Sequence, residues 1–197
     1  MNTDMFKYPI IAPPFTLIFR EMSKKELEDY YKWFMSVMPK RINILIQVVK
    51  STPGFGDWEP NYLPESLDKL GEWFVNQVET RTRTDEEIQA IIAKSPPPLK
   101  NIQISASELT NKTFSMAIDI GMYLSQVFLK NIPVLKWKQI LNGQKRHIDY
   151  GQPVFGSFGE IDFNPVYMMV VLAYGITHGT KKGASLRRLY EIWKKLA

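Results

Sequence analysis

The stretch TNKTFSMAIDIGMYLSQVFLK, residues 110–130, decides where the rest of this chain must lie. Its apolar residues recur at helical spacing and form one broad face, made up of Phe114, Ala117, Ile118, Gly121, Leu124, Ser125 and Phe128. A narrow polar stripe runs beside that face, at spacings of four, three and four residues: Asp119, Tyr123, Gln126 and Lys130. A helix with so wide an apolar surface must be covered on most sides. We therefore predict a helix from Ser107 or Thr110 to Lys130, near the centre of the fold.

Further helices are predicted on the N-terminal side of this stretch. Residues 23–26 (SKKE) form a capping box, which opens a helix that Pro39 should end. A second helix is predicted over 41–50, and a third begins near Pro64, because the missing N–H of proline costs nothing in a first turn. Residues 84–87 (TDEE) form a second capping box, which opens a short helix containing Ile88, Ile91 and Ile92. Before all of these, residues 15–19 (FTLIF) predict a short strand.

On the C-terminal side, the pattern predicts a small sheet followed by two helices. Residues 137–141 and 144–150 flank Asn142-Gly143, the pair that a type I′ hairpin turn prefers, and 153–158 would add a third strand. Pro165 should start a helix over 166–177, which is almost uniformly apolar and is therefore expected to be buried. The last predicted helix covers 184–196. It turns four residues inward: Leu186, Leu189, Tyr190 and Trp193.

The order of these elements favours an α+β fold. Strands do not alternate regularly with helices, which disfavours a doubly wound parallel sheet. We predict a helix-rich single domain over residues 1–197, with a small antiparallel sheet built on a hairpin near 136–158. The run SPPP at 95–98 predicts a stiff connector at 95–100, and two domains joined there are the alternative.

Composition removes several classes of chemistry. The chain has no cysteine, so disulfides, thiolate metal sites and thiol nucleophiles are excluded. Its first residues lack the basic-then-apolar layout of a signal peptide. The longest apolar run, 166–176, is about half the ~20 residues that a membrane-spanning helix needs. A cytoplasmic protein with no membrane contact is expected.

Motifs for catalysis or cofactors are also missing from the sequence. The only histidines are His147 and His178, and no metal-binding pair occurs, so neither a metal nor a cofactor is predicted. There is no nucleophile elbow, Walker A loop or dinucleotide fingerprint. The sequence favours a protein that is not an enzyme, but it does not exclude an enzyme. A site assembled from distant residues would first involve Asp119, Tyr123, His147 and Glu160.

The net charge of +5 is concentrated at the C-terminus. Residues 181–197 carry six basic side chains and one acidic one, and the rest of the chain is balanced. We predict a binding patch made of Lys181, Lys182, Arg187 and Arg188. The expected partner is another protein, of acidic character; the plainer alternative is a solvated helix face. Nucleic acid is disfavoured, because Tyr190 and Trp193 are expected to point inward rather than stack on bases.

Four segments together carry a resemblance to a known kind of protein: 64–67 (PESL) with Leu70 and Trp73, 123–137, 149–154 (DYGQPV), and 185–193. They resemble small uncharacterised bacterial proteins akin to immunity-type modules, which bind and neutralise toxins rather than catalyse. The likeness covers about two-thirds of the chain and transfers no catalytic residues.

Three hypotheses about function follow. The leading one is a non-enzymatic protein-interaction module of bacterial type, immunity-like, acting by surface complementarity. The second is an enzyme or small-ligand-binding protein with the assembled site named above. The third is a homo-oligomeric structural protein. The sequence leaves the oligomeric state and the identity of the partner open.

Overall fold

The computed structural model describes residues 8–95, 103–142, 145, 147–158 and 161–197. Within those residues the chain forms six helices and two small antiparallel sheets, which confirms the helix-rich α+β class. The helices are α1 (Lys24–Ser51), α2 (Ser66–Gln77), α3 (Asp85–Lys94), α4 (Asn111–Asn131), α5 (Pro165–Thr177) and α6 (Ala184–Lys194). The strands are β1 (Thr80–Thr82), β2 (Ser107–Leu109), β3 (Lys136–Gln139), β4 (Pro153–Phe158) and β5 (Ile161–Phe163).

Helix α4 is the centre of the fold, as its broad apolar face predicts. It begins after Thr110, whose hydroxyl accepts a hydrogen bond from the Thr113 N–H. Helices α1, α2, α5 and α6 all pack against it. From Thr113 to Phe128 most of its side chains are buried, including Asp119 and Tyr123 of the polar stripe.

Helix α1 corrects the prediction of two helices separated at Pro39. The chain continues as one helix from Lys24 to Ser51, with Pro39 inside it. A proline within a helix removes one backbone hydrogen bond and costs about 3 kcal/mol. Pro39 itself is exposed, whereas Met38 and Ile42 on either side of it are buried in the core. Burial of this continuous apolar stripe offsets the local cost, so the helix does not stop.

The strand predicted over 15–19 does not form. None of the described strands pairs with this segment, and a hydrogen bond from the Ile18 N–H to the Thr16 carbonyl closes a turn within it. Phe15 and Phe19 instead contact Tyr30 of α1 edge-to-face, at centroid distances of 6.0 and 5.2 Å. The aromatic residues that suggested a strand therefore serve as a side-chain cover for α1.

The sheet near 136–158 exists, but its pairing differs from the predicted hairpin. Strand β3 pairs antiparallel with β4, with Trp137 opposite Phe155, and β4 pairs with β5. Residues 147–150 form turns and a bridge rather than a strand, and Gly143 and Gln144 of the predicted hairpin lie outside the described residues. The reason is packing: Phe155 and Phe158 of β4 contact Phe128 of α4 in the main core, whereas Tyr150 packs in a separate small cluster with Leu27 and Tyr30.

One main hydrophobic core draws residues from both sides of the predicted connector. Val49 and Trp73 contribute from the N-terminal side, and Phe155 and Tyr190 from the C-terminal side. Beyond Ser95 the predicted connector lies outside the described residues. In the described parts of the chain, no helix combines the length and the apolar character needed to span a membrane.

A candidate binding groove between helices α5 and α6

Helix α5 is less buried than its sequence predicts. The expectation that this almost uniformly apolar segment is buried is wrong for much of its surface. Only Pro165, Met169, Leu172 and Ala173 are buried. Val171 is 41% exposed, and Tyr167 is exposed to the same extent. The helix has apolar side chains all round, but only one of its sides is fully covered by the rest of the chain.

The covered side of α5 is fixed against α4 at a point of close approach. A Cβ added to Gly121 of α4 would lie 2.8 Å from the Val166 Cα, so only glycine fits there. Asn164 caps the helix by accepting a hydrogen bond from the Tyr167 N–H. The Asn164 amide also donates to Asp149 at 2.8 Å and to Gln152 at 3.0 Å. The start of α5 is thereby joined to the loop that precedes β4.

Helix α6 is fixed mainly against α2. Its N-cap residue, Gly183, touches Gly71 of α2 so closely that a Cβ on Gly71 would lie 2.1 Å from the Gly183 carbonyl oxygen. Arg187 donates to Asp68 at 2.6 Å and to Glu65 at 2.9 Å. These contacts hold one side of α6 and leave the side facing α5 uncovered.

A groove of about 320 Å³ lies between the two helices. Helix α5 lines it with Met168, Val171 and Leu172. Helix α6 lines it with residues at helical spacing: Ser185, Arg188, Leu189 and Ile192. The α5–α6 loop adds Thr180 and Lys181. The apolar part of the lining includes Ile192, which is 49% exposed. The polar part includes two cationic side chains, Lys181 and Arg188.

The loop that carries Lys181 is held by the end of α5. The Gly175 carbonyl accepts three hydrogen bonds, from the Thr180 N–H, the Lys181 N–H and the Thr180 hydroxyl. Gly179 has a φ of 69°, the left-handed conformation that commonly follows a helix C-terminus. A Cβ added to Gly175 would lie only 2.3 Å from the Lys181 Cγ, so the stem of the Lys181 side chain packs directly against the Gly175 backbone. Lys181 is therefore placed at the groove by the backbone around it.

The structure separates the four residues of the predicted binding patch. Lys181 and Arg188 line the groove together. Lys182 is exposed, and its N–H donates to the Ser185 hydroxyl. Arg187 lies on the side of α6 that faces α2, where its hydrogen bond with Asp68 raises the pKa of the guanidinium. Two of the four basic side chains thus belong to the groove, and Arg187 stabilises the α2–α6 contact.

The described residues of the predicted assembled site, Asp119, Tyr123 and His147, are engaged in structural contacts. Asp119 accepts a bidentate pair of hydrogen bonds from Arg41, at 2.8 and 2.7 Å, and a further one from the Tyr8 hydroxyl. Burial raises the pKa of the Asp119 carboxyl to about 6, and the hydrogen bonds from Arg41 and Tyr8 oppose that rise. Arg41 also donates to the Pro9 carbonyl. The cluster joins the segment beginning at Tyr8 to α1 and α4.

Tyr123 likewise holds a loop on α4. Its hydroxyl donates to the Ser66 hydroxyl at 2.8 Å and accepts from the Tyr62 N–H at 3.3 Å. Burial raises its pKa to about 12. His147 accepts a hydrogen bond from the Asp149 N–H, and Glu160 lies outside the described residues. Asp119 and Tyr123 are both fully buried, and neither lines the α5–α6 groove.

No metal centre is found in the part of the chain that the structure describes, since no three of its His, Asp or Glu side chains converge. The groove residues that sequence reasoning missed include the apolar Met168, Val171 and Ile192. They belong to apolar helical patterns, and such patterns are more often core than surface, so nothing in the local pattern indicated exposure. Asn164 before Pro165 was a visible capping signal.

Comparison of the chain with protein-family models, with curated proteins and with solved structures found no match.

Proposed function

We propose that this protein is a non-enzymatic protein-interaction module that binds a partner protein in the groove between α5 and α6. The observation that carries the proposal is the exposure of an almost uniformly apolar helix beside two cations. Val171 of α5 and Ile192 of α6 are both about half exposed, and Lys181 and Arg188 adjoin them.

The composition of the groove supports a protein ligand. Single exposed apolar residues are ordinary on protein surfaces, but a contiguous apolar surface with a polar rim is typical of an interaction site. The lining combines Met168, Leu172 and Leu189 with Arg188. Methionine and arginine are enriched in protein–protein interfaces, whereas lysine and acidic residues are depleted from their cores. Lys181, on the loop, suits the rim.

The charge of the groove indicates the character of the partner. Among the described residues that line it, two are basic and none is acidic. Glu191, the acidic residue of α6, does not line the groove and instead lies beside Arg187, with its Oε1 4.0 Å from the Arg187 Nε. Complementary charge accelerates encounter and excludes basic competitors. We therefore expect the contacting surface of the partner to be acidic at its edge and apolar at its centre.

The immunity-type resemblance would make that partner a toxin. This part of the proposal rests on the four sequence segments quoted above, of which 185–193 overlaps the groove. We expect a toxin to be encoded beside the gene for this protein. The wild-type chain should neutralise that toxin, and a chain altered at the groove should not. A neighbouring toxin that remains neutralised after Lys181→Glu/Arg188→Glu substitution would place its binding surface elsewhere.

Site-specific photo-crosslinking tests the interaction itself. A photoreactive amino acid replaces Val171 in the groove or, as the control, Val134, which is 60% exposed and does not line the groove. In cells that produce the protein naturally, we expect a discrete crosslinked product from position 171 and none from position 134. Equal crosslinking at both positions, or none at position 171, would contradict the proposal.

A further inference from the structure

A second unpaired surface of this chain matches the groove. We define the arm as β1, α3 and β2, in which the two strands pair with each other. Helix α3 contributes no described residue to either hydrophobic core cluster, and none of its described side chains is buried. Ile91, on this helix, is 37% exposed. The arm therefore presents a helix that leaves its side chains at least partly exposed among the described residues.

Helix α3 has the pattern of a groove-binding helix. Ile88, Ile91 and Ile92 share one face at i, i+3 and i+4, the spacing with which amphipathic helices insert into apolar grooves. Its first turn carries three carboxylates: Asp85, Glu86 and Glu87. Glu87 is paired with Arg81 of the arm. Both ends of the helix are stopped locally, because the Thr84 capping box starts it and Ser95 caps its C-terminus.

The groove complements α3 in length and in charge. Its α6 side runs from Ser185 to Ile192, a separation of seven residues or about 10 Å along a helix. The isoleucine face of α3 spans 88–92, about 6 Å, which fits within that length. The acidic first turn of α3 can then meet Lys181 or Arg188 while the isoleucines contact Val171 and Ile192.

Resting on the proposed interaction groove, but in place of the toxin that the sequence resemblance suggests, we propose that the partner is a second copy of this chain, whose arm inserts α3 into the α5–α6 groove. The contact joins two different surfaces, so a pair of copies joined by one such contact still has one free arm and one free groove. Such a head-to-tail contact builds rings or open chains rather than closing at a dimer. A symmetric groove-to-groove dimer is disfavoured, because it would bring Lys181 and Arg188 of one copy against the same cations of the other.

The experiment measures molecular mass by sedimentation of the full chain. The wild type is expected to exceed the mass of a dimer as its concentration rises. Higher ionic strength should reduce that mass, because exposed charge pairs are screened. The arm variant Ile91→Asp and the groove variant Lys181→Glu/Arg188→Glu should each be monomeric. Ile148→Asp, at a 61% exposed position outside both surfaces, is the matched control and should assemble like the wild type.

Mixing the two variants gives the decisive result. The arm variant retains an intact groove and the groove variant an intact arm, so an equimolar mixture contains one functional contact per pair. The mixture should reach twice the monomer mass and go no further. That rescue also shows that both variants are folded.

Several results would overturn the inference: a wild type that stays monomeric at every concentration, a mixture that stays monomeric, or an Ile148→Asp chain that fails to assemble. If the wild type is monomeric but position 171 still crosslinks to a different protein, the partner is not a second copy of this chain. The proposed function would then still hold. A wild type that assembles without crosslinking at position 171 would contradict both proposals.

Discussion

Asp119 lies at a junction of three segments that are far apart in the sequence. Its carboxylate receives hydrogen bonds from Arg41 of α1 and from Tyr8 near the start of the described chain. A buried carboxylate is tolerable only when its oxygens are satisfied, and here both oxygens are. The cluster therefore joins the segment that begins at Tyr8 to the interiors of α1 and α4.

We predict an unusual titration for this carboxyl. Burial raises its pKa to about 6, above the value of 3.8 expected in the unfolded chain. As the pH rises, the unfolded chain therefore loses this proton before the folded chain does. The contribution of Asp119 to the free energy of unfolding is full below about pH 4 and is lost as the pH rises through 6. Carboxyl ¹³C shifts, assigned by comparison with Asp119→Asn, should show a midpoint near 6.

Arg41 provides the control for this titration. Its guanidinium lowers the pKa of Asp119 by hydrogen bonding and by charge. Arg41→Met should therefore move the Asp119 midpoint above that of the wild type. A wild-type midpoint at or below 4 would contradict the prediction, because it would mean that pairing outweighs desolvation in this cluster.

Asn164 gives a second prediction at the scale of one residue. Its side chain caps α5 and also donates to Asp149 and Gln152. Asn164→Ala should lower the free energy of unfolding by about 1–3 kcal/mol, since a cap is lost and the buried Asp149 loses its donor. Asn61→Ala, which removes an exposed hydrogen bond to the Leu63 N–H, should cost less in the same urea titration. If both substitutions lower the free energy of unfolding equally, the hydrogen bonds of Asn164 stabilise the fold no more than one exposed local hydrogen bond does.

Single residues were predictable where their partners are close in sequence. Both capping boxes, at Ser23 and at Thr84, form as the sequence indicated, because each joins residues three positions apart. The pairing of Asp119 with Arg41 spans 78 positions. Nothing in the local pattern could identify that partner, so the polar stripe of α4 was recognised without its role.

At the scale of elements, packing against distant parts of the chain overrode local signals. Pro39 is a strong local stop signal, yet α1 continues through it because the core stripe continues. The Asn142-Gly143 signal likewise did not determine the pairing of β3, whose partner β4 lies beyond residues 140–152. In both cases the local preference amounts to a few kcal/mol or less, which the burial of several apolar side chains exceeds.

The α2–α6 crossing yields a prediction at this scale. Gly71→Ala should lower the free energy of unfolding by about 1–3 kcal/mol, because a Cβ there would lie 2.1 Å from the Gly183 carbonyl and α6 must move. Gly56→Ala is the control, since its Cβ would meet only the Lys50 carbonyl oxygen, at 3.5 Å. Thermal unfolding of the two variants should separate them. A Gly71→Ala protein as stable as the wild type would show that the helices cross with room to spare.

At the scale of the whole molecule, the positive charge that the sequence concentrates at the C-terminus divides between two surfaces. Arg187 points toward α2 and forms ion pairs with Glu65 and Asp68. Arg188 points toward α5 and lines the groove. A sequence shows the excess charge but not this division, because it depends on which side of α6 faces the core. Neighbouring arginines thus have different surroundings: Arg187 stabilises the α2–α6 contact, and Arg188 is available for the recognition that we propose.

Charge reversal at each arginine tests that division. Arg187→Glu places a carboxylate beside Glu65, Asp68 and Glu191, and we expect the free energy of unfolding to fall by about 1–2 kcal/mol. Arg188→Glu should change it by less than about 0.5 kcal/mol, as is usual for surface positions. Crosslinking from position 171 should respond in the opposite order, falling several-fold in Arg188→Glu and persisting in folded Arg187→Glu. Equal effects of the two substitutions on stability, or loss of crosslinking in Arg187→Glu alone, would show that α6 does not separate the two roles.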